Sequence, residues 1–367
     1  MTGAWTVGRR AVATAPVRVA DVGGWTDTWF GSPGRVCSLA VGPGVEVAAE
    51  VVGRPSDAAP VRLVAPALGL DAPCGPHEVD GWARPEPAAH PLLAHAVAEV
   101  LEGIDVPPGL GVVVTITSAV PPGASLGTSA SVVVAVLAAL DALVRPDGLA
   151  PDDPAERARR AHRVETGRAG REAGVQDQWA AALGGCLDLA VGPYPDVRVR
   201  PVALAPGVVD ALADRLVTVV FGAHDSSAVH QEVITAITGC GGADHDRART
   251  ALRRLAALAG SAAAALEAGD LEGWAAVLRQ ATEAQEQLHP SLVGPAHRRA
   301  IEVGASAGAA GWKVNGAGGD GGSLTLIAGP PAGAGAHLAA ALGDADPGWT
   351  VLRLVPGHDP GVVVTSP

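Results

Sequence analysis

Lysine is almost missing from this chain of 367 residues: Lys313 is the only one among 26 basic residues, which face 38 acidic ones for a formal net charge of −12. No run of Lys or Arg occurs, so neither a nucleic-acid footprint nor an anionic membrane surface is an expected partner. Cysteine is scarce as well. Cys37, Cys74, Cys186 and Cys240 stand far apart with no C-x-x-C pair, which excludes a closely spaced zinc site and a dense disulfide framework and reads as reduced thiols. No apolar run approaches the roughly 18 to 20 residues that span a bilayer. The segment after Arg9-Arg10 is too short before Pro16 and Arg18 for a signal-peptide core, and a cytoplasmic protein is expected. There is no repeat period and no G-x-x-x-x-G-K-[ST] phosphate loop.

What is present is a set of short periodic segments separated by glycine and proline. The 48 Gly and 30 Pro are scattered between apolar stretches and read as turn chemistry. The length suggests two domains, and 48% hydrophobic residues suffice for sizeable cores. β-Branched runs predict strands over 12–20, 44–52, 60–65, 111–117, 215–221, 311–314, 323–328 and 350–355. Helical spacing predicts helices over 91–102, 132–144, 154–168, 227–238, 246–268, 270–286, 294–308 and 333–342. Strands and helices do not alternate regularly, which favours an α+β fold over a doubly wound sheet. The cluster Pro201, Pro206 and Gly207 places a domain boundary there, giving units 1–205 and 206–367.

The most informative stretch is Pro121-Pro122-Gly123-Ala124-Ser125-Leu126-Gly127-Thr128-Ser129-Ala130-Ser131, which runs straight into the apolar segment from Val132. Free N–H groups of a first helical turn, together with the positive end of the helix dipole, favour phosphate. Glycines let the main chain approach closely, and Thr128, Ser129 and Ser131 offer hydroxyls for phosphate oxygens or a metal ion. A serine N-cap on an ordinary core helix is the plainer alternative.

Two further segments bear polar residues in glycine-rich surroundings: Ala15 to Asp27, with Arg18, Gly24, Trp25 and Asp27, and Lys313 to Ser323, with Gly316, Gly318 and Asp320. The order and spacing of the three segments resemble the GHMP kinases, over nearly the whole chain. The family pattern P-x-x-x-G-L-G-S-S-A is met by Pro121, Gly123, Leu126, Gly127, Ser129 and Ala130, with Thr128 in place of the first serine. Between them, Glu165 and Gly174-Val175-Gln176-Asp177-Gln178 resemble the sugar-kinase segment E…G-G-x-x-D-Q.

That resemblance implies a two-domain α+β GHMP kinase fold, with an N-terminal ribosomal-protein-S5-like domain and a C-terminal ferredoxin-like domain. It implies ATP held by Pro121, Gly123, Ala124, Ser125, Leu126, Gly127, Thr128 and Ser129, and Mg²⁺ on Ser129 and Glu165. Asp177 would face the acceptor hydroxyl, and Arg18 would steady either the γ-phosphate or the Asp177 carboxylate. Asp27, Gly24, Trp25, Gln176, His224, Gly316 and Gly318 would line the sugar site, with the loop His224 to His230 facing the substrate. Taken alone, Asp177 could equally cap a helix, Asp27 could stabilise a turn, and Arg18 and Glu165 could lie on solvated faces.

The expected reaction is transfer of the γ-phosphate of ATP to a sugar hydroxyl, the anomeric one, giving a sugar 1-phosphate, in a monomer or homodimer. Gly24-Trp25 stands where galactokinases have Glu-His, so galactose itself is disfavoured. The alternatives are a catalytically silent sugar-binding or nucleotide-binding relative and a homoserine-type or mevalonate-type kinase. Gly316, Gly318 and Gly321 also satisfy G-x-G-x-x-G, but they precede a strand-like segment, whereas a dinucleotide fingerprint opens a helix.

Overall fold

The computed structural model describes residues 5–55, 57–78, 80–86, 90–144, 153–222, 227–239, 241–357 and 361–365. In chain order the first half contains β1 (Arg10–Val22), β2 (Gly34–Gly53), β3 (Val61–Ala65), β4 (Leu70–His77), β5 (Gly81–Glu86), α1 (Pro91–Leu101), β6 (Leu110–Ser118), α2 (Thr128–Val144), α3 (Pro154–Arg163), a π turn (Val164–Arg168), α4 (Gln176–Leu183), β7 (Cys186–Val191) and β8 (Val197–Pro201). The second half contains α5 (Val208–Arg215), β9 (Leu216–Gly222), α6 (Ser227–Thr238), α7 (Ala243–Ala268), α8 (Leu271–Leu288), α9 (Pro295–Ser306), β10 (Ala309–Val314), β11 (Gly322–Ala328), α10 (Ala334–Ala345), β12 (Thr350–Leu352), β13 (Val355–Pro356) and β14 (Val363–Thr365). The mixture is α+β, as the irregular order of strands and helices predicts.

Two sheets organise these elements. In the larger, the order is β14-β1-β2-β6-β3-β4-β5, and β2 also pairs with β7 and β13. β2 is long enough to serve both partners: its first residues, Gly34 to Leu39, pair with β7 and its last, Val45 to Gly53, with β6. The smaller sheet runs β10-β11-β9-β12. β13 and β14 come from the end of the chain yet pair with β2 and β1.

The helix α2 is apolar on every side and buried nearly throughout, the pattern of a helix enclosed by protein. It packs on β1 and β2 with α1, α3 and α4 around it. Pro91 opens α1, where its missing N–H is harmless, and Leu92, Leu93, Val97, Val100 and Leu101 are buried. The antiparallel pair α7 and α8 lies between the sheets, α7 against β2 and α8 against β10. One apolar cluster joins β1, α7 and α8 through residues such as Val19, Leu255, Ala259 and Trp274. Cys37, Cys74 and Cys186 are buried free thiols, and Cys240 lies outside the described residues.

The sequence reading differs from the structure in two instructive places. The helix after the phosphate-type loop begins at Thr128 and not Val132, so the hydroxyl residues are themselves in its first turn. The basic segment 154–168 is an α-helix only to Arg163; its last turn closes with the Ala169 N–H donating to the Val164 carbonyl, a π bond pattern.

Candidate active site

A cavity of about 730 Å³ opens between the β1 strand, the start of α2, the π turn, the start of α4 and the loop after β10. That volume suits a small organic ligand. The wall brings together Arg18, Trp25, Asp27, Gly123, Ala124, Ser125, Leu126, Gly127, Thr128, Ser129, Glu165, Gln176, Asp177 and Gly316 from the sequence-predicted set.

The loop 123–127 and the first turn of α2 form one side. Gly123, Ser125 and Gly127 have φ of 75°, 57° and 73°, and this left-handed backbone turns successive amides out of the usual ladder. Among the described residues, no protein group accepts a hydrogen bond from the backbone N–H of any residue from 123 to 130. A row of uncommitted amides at the positive end of a 17-residue helix favours an anion there.

At the floor, Arg18 and Asp177 form an ion pair in which Arg18 is buried and Asp177 is half-buried, facing the cavity. Arg18 Nε donates to Asp177 Oδ1 at 2.8 Å and Nη2 to Oδ2 at 3.3 Å. The remaining nitrogen, Nη1, donates to the Ser125 carbonyl at 2.7 Å and reaches Asp21 Oδ1 at 3.5 Å. Burial opposes the Arg18 charge, but Asp177 and Asp21 outweigh it and hold the guanidinium above its ordinary range. Asp177 lies inside the first turn of α4, whose N-cap is Val175, so it caps no helix. Gly127, at φ 73°, lies beside it, and a Cβ there would stand 3.2 Å from Asp177 Cγ.

Asp27 is 1% exposed and accepts the Gln176 N–H on Oδ2 at 3.0 Å. Burial pushes its carboxyl up to about 6; the Gln176 amide opposes this and the charge of Asp177 adds to it. Gly174 leaves room for it, since a Cβ would fall 2.1 Å from Asp27 Oδ2. Trp25, at φ 77°, sets its indole 4.8 Å from the His230 imidazole of α6.

Glu165 is 4% exposed and accepts from Ser129 Oγ at 3.0 Å and from Gln178 Nε2. Burial raises its carboxyl above the ordinary range; Gln178 opposes the shift, Asp177 reinforces it and Ser129 again opposes it. One buried carboxylate beside a hydroxyl is a hard-oxygen donor set that fits Mg²⁺, an ion that fills its other positions with water and phosphate oxygens. Among the described residues no group of three or more His, Cys, Asp or Glu side chains could hold a metal ion by protein alone.

The Gly316 loop docks across from the second sheet. A bulge in β1 places Ala20 N–H on Asn315 Oδ1 at 3.0 Å, and the Gly316 N–H donates to Asp21 Oδ1 at 3.1 Å. Ser323 Oγ donates to the Ala124 carbonyl at 2.6 Å, so all three motif segments meet. The lone lysine serves this junction. Lys313 Nζ donates to Gln285 Oε1 at 2.6 Å, and Gln285 Nε2 to the Gly316 carbonyl at 3.1 Å.

Sequence comparison finds that residues 92–185 match the GHMP kinases N terminal domain. No curated protein matches the chain by sequence. Solved structures similar over the whole chain include a D-glycero-D-manno-heptose 1-phosphate kinase from Bacteriodes thetaiotaomicron, 21% identical with a TM-score of 0.69 over 97% of this chain and 98% of that one. The Lactococcus lactis galactokinase complexed with galactose is 17% identical, with a TM-score of 0.68 over 96% and 95%. The L. major mevalonate kinase in complex with R-mevalonate is 19% identical, with a TM-score of 0.66 over 96% and 95%. At these identities the likeness is one of fold, and the chain has the GHMP kinase fold.

Within that GHMP kinase fold some sequence-predicted residues stand off the cavity wall. Pro121 precedes the lined stretch, Gly24 packs against Asp21 Oδ2, and Gly318 packs against the Leu292 carbonyl. Asp320 is exposed and also off the wall. His224 lies outside the described residues, as do Asp225 and Ser226. Gly321 leads into β11, a strand, which removes the dinucleotide reading of that glycine run.

The residues sequence reasoning passed over are Thr28, Gln231, Ala317 and the loop Gly170-Arg171-Glu172-Ala173. That loop has no periodicity; its one sequence signal is its place between Glu165 and Gln176. Tyr194 secures it, donating Oη to the Ala173 carbonyl at 3.1 Å and pairing with His162 Nε2 at 2.8 Å. Burial pulls the His162 imidazole down to about 4, so it is neutral at pH 7.

Proposed function

We propose that the protein is an ATP-dependent sugar kinase that transfers the γ-phosphate to a sugar hydroxyl, the anomeric one, to give a sugar 1-phosphate. The observation that carries this reading is the union in one cavity of the uncommitted amides of 123–130 with the paired Asp177 and Arg18. The amides of the loop and the α2 terminus receive the phosphates of ATP. Ser129 and Glu165 hold Mg²⁺, which supplies charge neutralisation on the phosphate oxygens when bound.

In the reaction a bond forms between the acceptor oxygen and Pγ, the bond from Pγ to the ADP oxygen breaks, and the acceptor proton passes to Asp177. Arg18 holds the Asp177 carboxylate by two nearly parallel hydrogen bonds and fixes its aim. A phosphoryl transfer needs such positioning and electrostatic stabilisation more than covalent help.

The choice of a sugar rests on the other half of the cavity. Asp27 in its ionised form only accepts hydrogen bonds and suits a pair of hydroxyls, Gln176 lies beside it, and the Trp25 ring offers an apolar face. Two relatives of the same fold are described as a heptose 1-phosphate kinase and a galactokinase. The units 1–205 and 206–367 act as the two walls of the cleft, in a cytoplasmic monomer or homodimer with no nucleic-acid or membrane partner.

The test is a panel of free and phosphorylated sugars incubated with ATP and Mg²⁺ and read by phosphorus NMR. A new anomeric phosphate resonance from one free sugar is the expected result. Binding of ATP and sugar without product would instead favour a silent relative, and turnover of homoserine or mevalonate alone would remove the sugar.

A further inference from the structure

Phosphoryl transfer spreads negative charge over the oxygens of the group in flight, and cations that meet it there are the main source of acceleration. Arg18 is poorly placed for that task, because its three nitrogens already serve Asp177, Ser125 and Asp21. The other arginine on the cavity wall is Arg171.

Arg171 sits in the loop between the π turn and α4, and its backbone N–H donates to the Glu165 carbonyl at 2.9 Å. The residue is therefore tied to the turn that bears the magnesium-type carboxylate. Its positive charge favours the ionised form of the Glu165 carboxyl, more weakly than the other groups around it. Among the described residues its guanidinium has no hydrogen-bond, ion-pair or aromatic partner. The adjacent carboxylate does not occupy it, since Glu172 Oε2 accepts from Trp29 Nε1 at 2.6 Å. A guanidinium offers five donors in a fork that matches phosphate oxygens, and this one belongs to an exposed residue of the cavity wall.

We propose that Arg171 is a further catalytic residue, donating hydrogen bonds to the transferred phosphoryl group, while Arg18 is the positioning residue for Asp177. Arg171 gives up no proton; bond making, bond breaking and the acceptor proton remain as described for Asp177. The assignment rests on the kinase reading above.

The experiment compares wild type, Arg171→Gln and Arg171→Lys with ATP, Mg²⁺ and the sugar found by the NMR panel. Arg171→Gln should lose kcat on the order of 10³-fold, with the KM for sugar and the calorimetric affinity for MgADP each kept within about threefold. Arg171→Lys should recover part of the loss, because a point charge replaces the fork. An exposed, unpartnered side chain should leave Tm within about 2 °C of wild type, so a fold defect is not the expected cause. A kcat for Arg171→Gln within about threefold of wild type overturns the assignment. A loss confined to the KM for sugar also overturns it, and makes Arg171 a grip for an anionic group on the acceptor. Failure of the kinase reading is seen separately, as a wild-type enzyme that phosphorylates nothing in the panel, and it takes the assignment down with it.

Discussion

Arg18 and Asp177 are 159 positions apart in the chain and share two hydrogen bonds, Nε to Oδ1 at 2.8 Å and Nη2 to Oδ2 at 3.3 Å. A forked pair of this kind fixes the carboxylate plane as well as its distance. Asp177→Asn keeps the shape but cannot accept a proton. Turnover should fall about 10³-fold while MgATP affinity, measured by calorimetry, changes little; an unchanged rate would take Asp177 out of the chemistry.

Asp27 ties stability and substrate binding to pH in opposite directions. Its carboxyl is raised to about 6 in the fold, so the folded state holds a proton more tightly than the unfolded chain. That contribution to stability is full at pH below about 4 and is lost as pH rises through 6. Asp27→Asn, neutral at every pH, should therefore be more stable than wild type at pH 8 by up to about 3 kcal/mol. The advantage should vanish in urea melts at pH 4. The KM of the wild type for its acceptor should rise as pH falls through 6, since a protonated Asp27 grips hydroxyls less well; a flat KM between pH 5 and 8 would separate Asp27 from the acceptor.

Ser129 Oγ is 3.0 Å from Glu165 Oε1, close enough for one ion to take both oxygens. Ser129→Ala should raise the Mg²⁺ concentration for half-maximal nucleotide binding roughly tenfold, or about 1.4 kcal/mol. Identical Mg²⁺ titrations of variant and wild type would place the ion elsewhere.

Gly174→Ala tests the acceptor side of the cavity alone. The added methyl would meet Asp27 Oδ2 at 2.1 Å, so the carboxylate or the loop must move. A misplacement of about 1 Å costs on the order of 10²-fold, and kcat/KM for the sugar should drop by that amount with the affinity for MgATP preserved. Equal losses in both would mean that the loop supports the nucleotide as well.

Much of this site was legible in the chain before folding. The loop 121–131 reads as an anion site because its physics is local: glycines, hydroxyls and the start of an apolar helix lie within eleven consecutive positions. The spacing of Glu165 and Asp177 is likewise a property of one short stretch. The unpredicted strands β4, β5, β7, β8 and β14 escaped notice because short runs such as Cys186–Val191 become strands through their partners, here β8 and also β2, over 140 positions earlier. Arg171 and Glu172 escaped for a related reason, since a loop without periodicity gains its meaning from what it faces.

The sequence by itself determined most of the helices, the longer strands and where the oxygen, nitrogen and glycine chemistry lies, because propensity and spacing act over a few residues. Only the tertiary structure decided how those groups are used. It committed Arg18 to Asp177 and to the Ser125 carbonyl, and it left the guanidinium of Arg171 open. The partners of a side chain are drawn from segments 107 and 159 positions away, and long-range packing of β1 against α2, α4 and the Gly316 loop alone brings them within hydrogen-bonding reach.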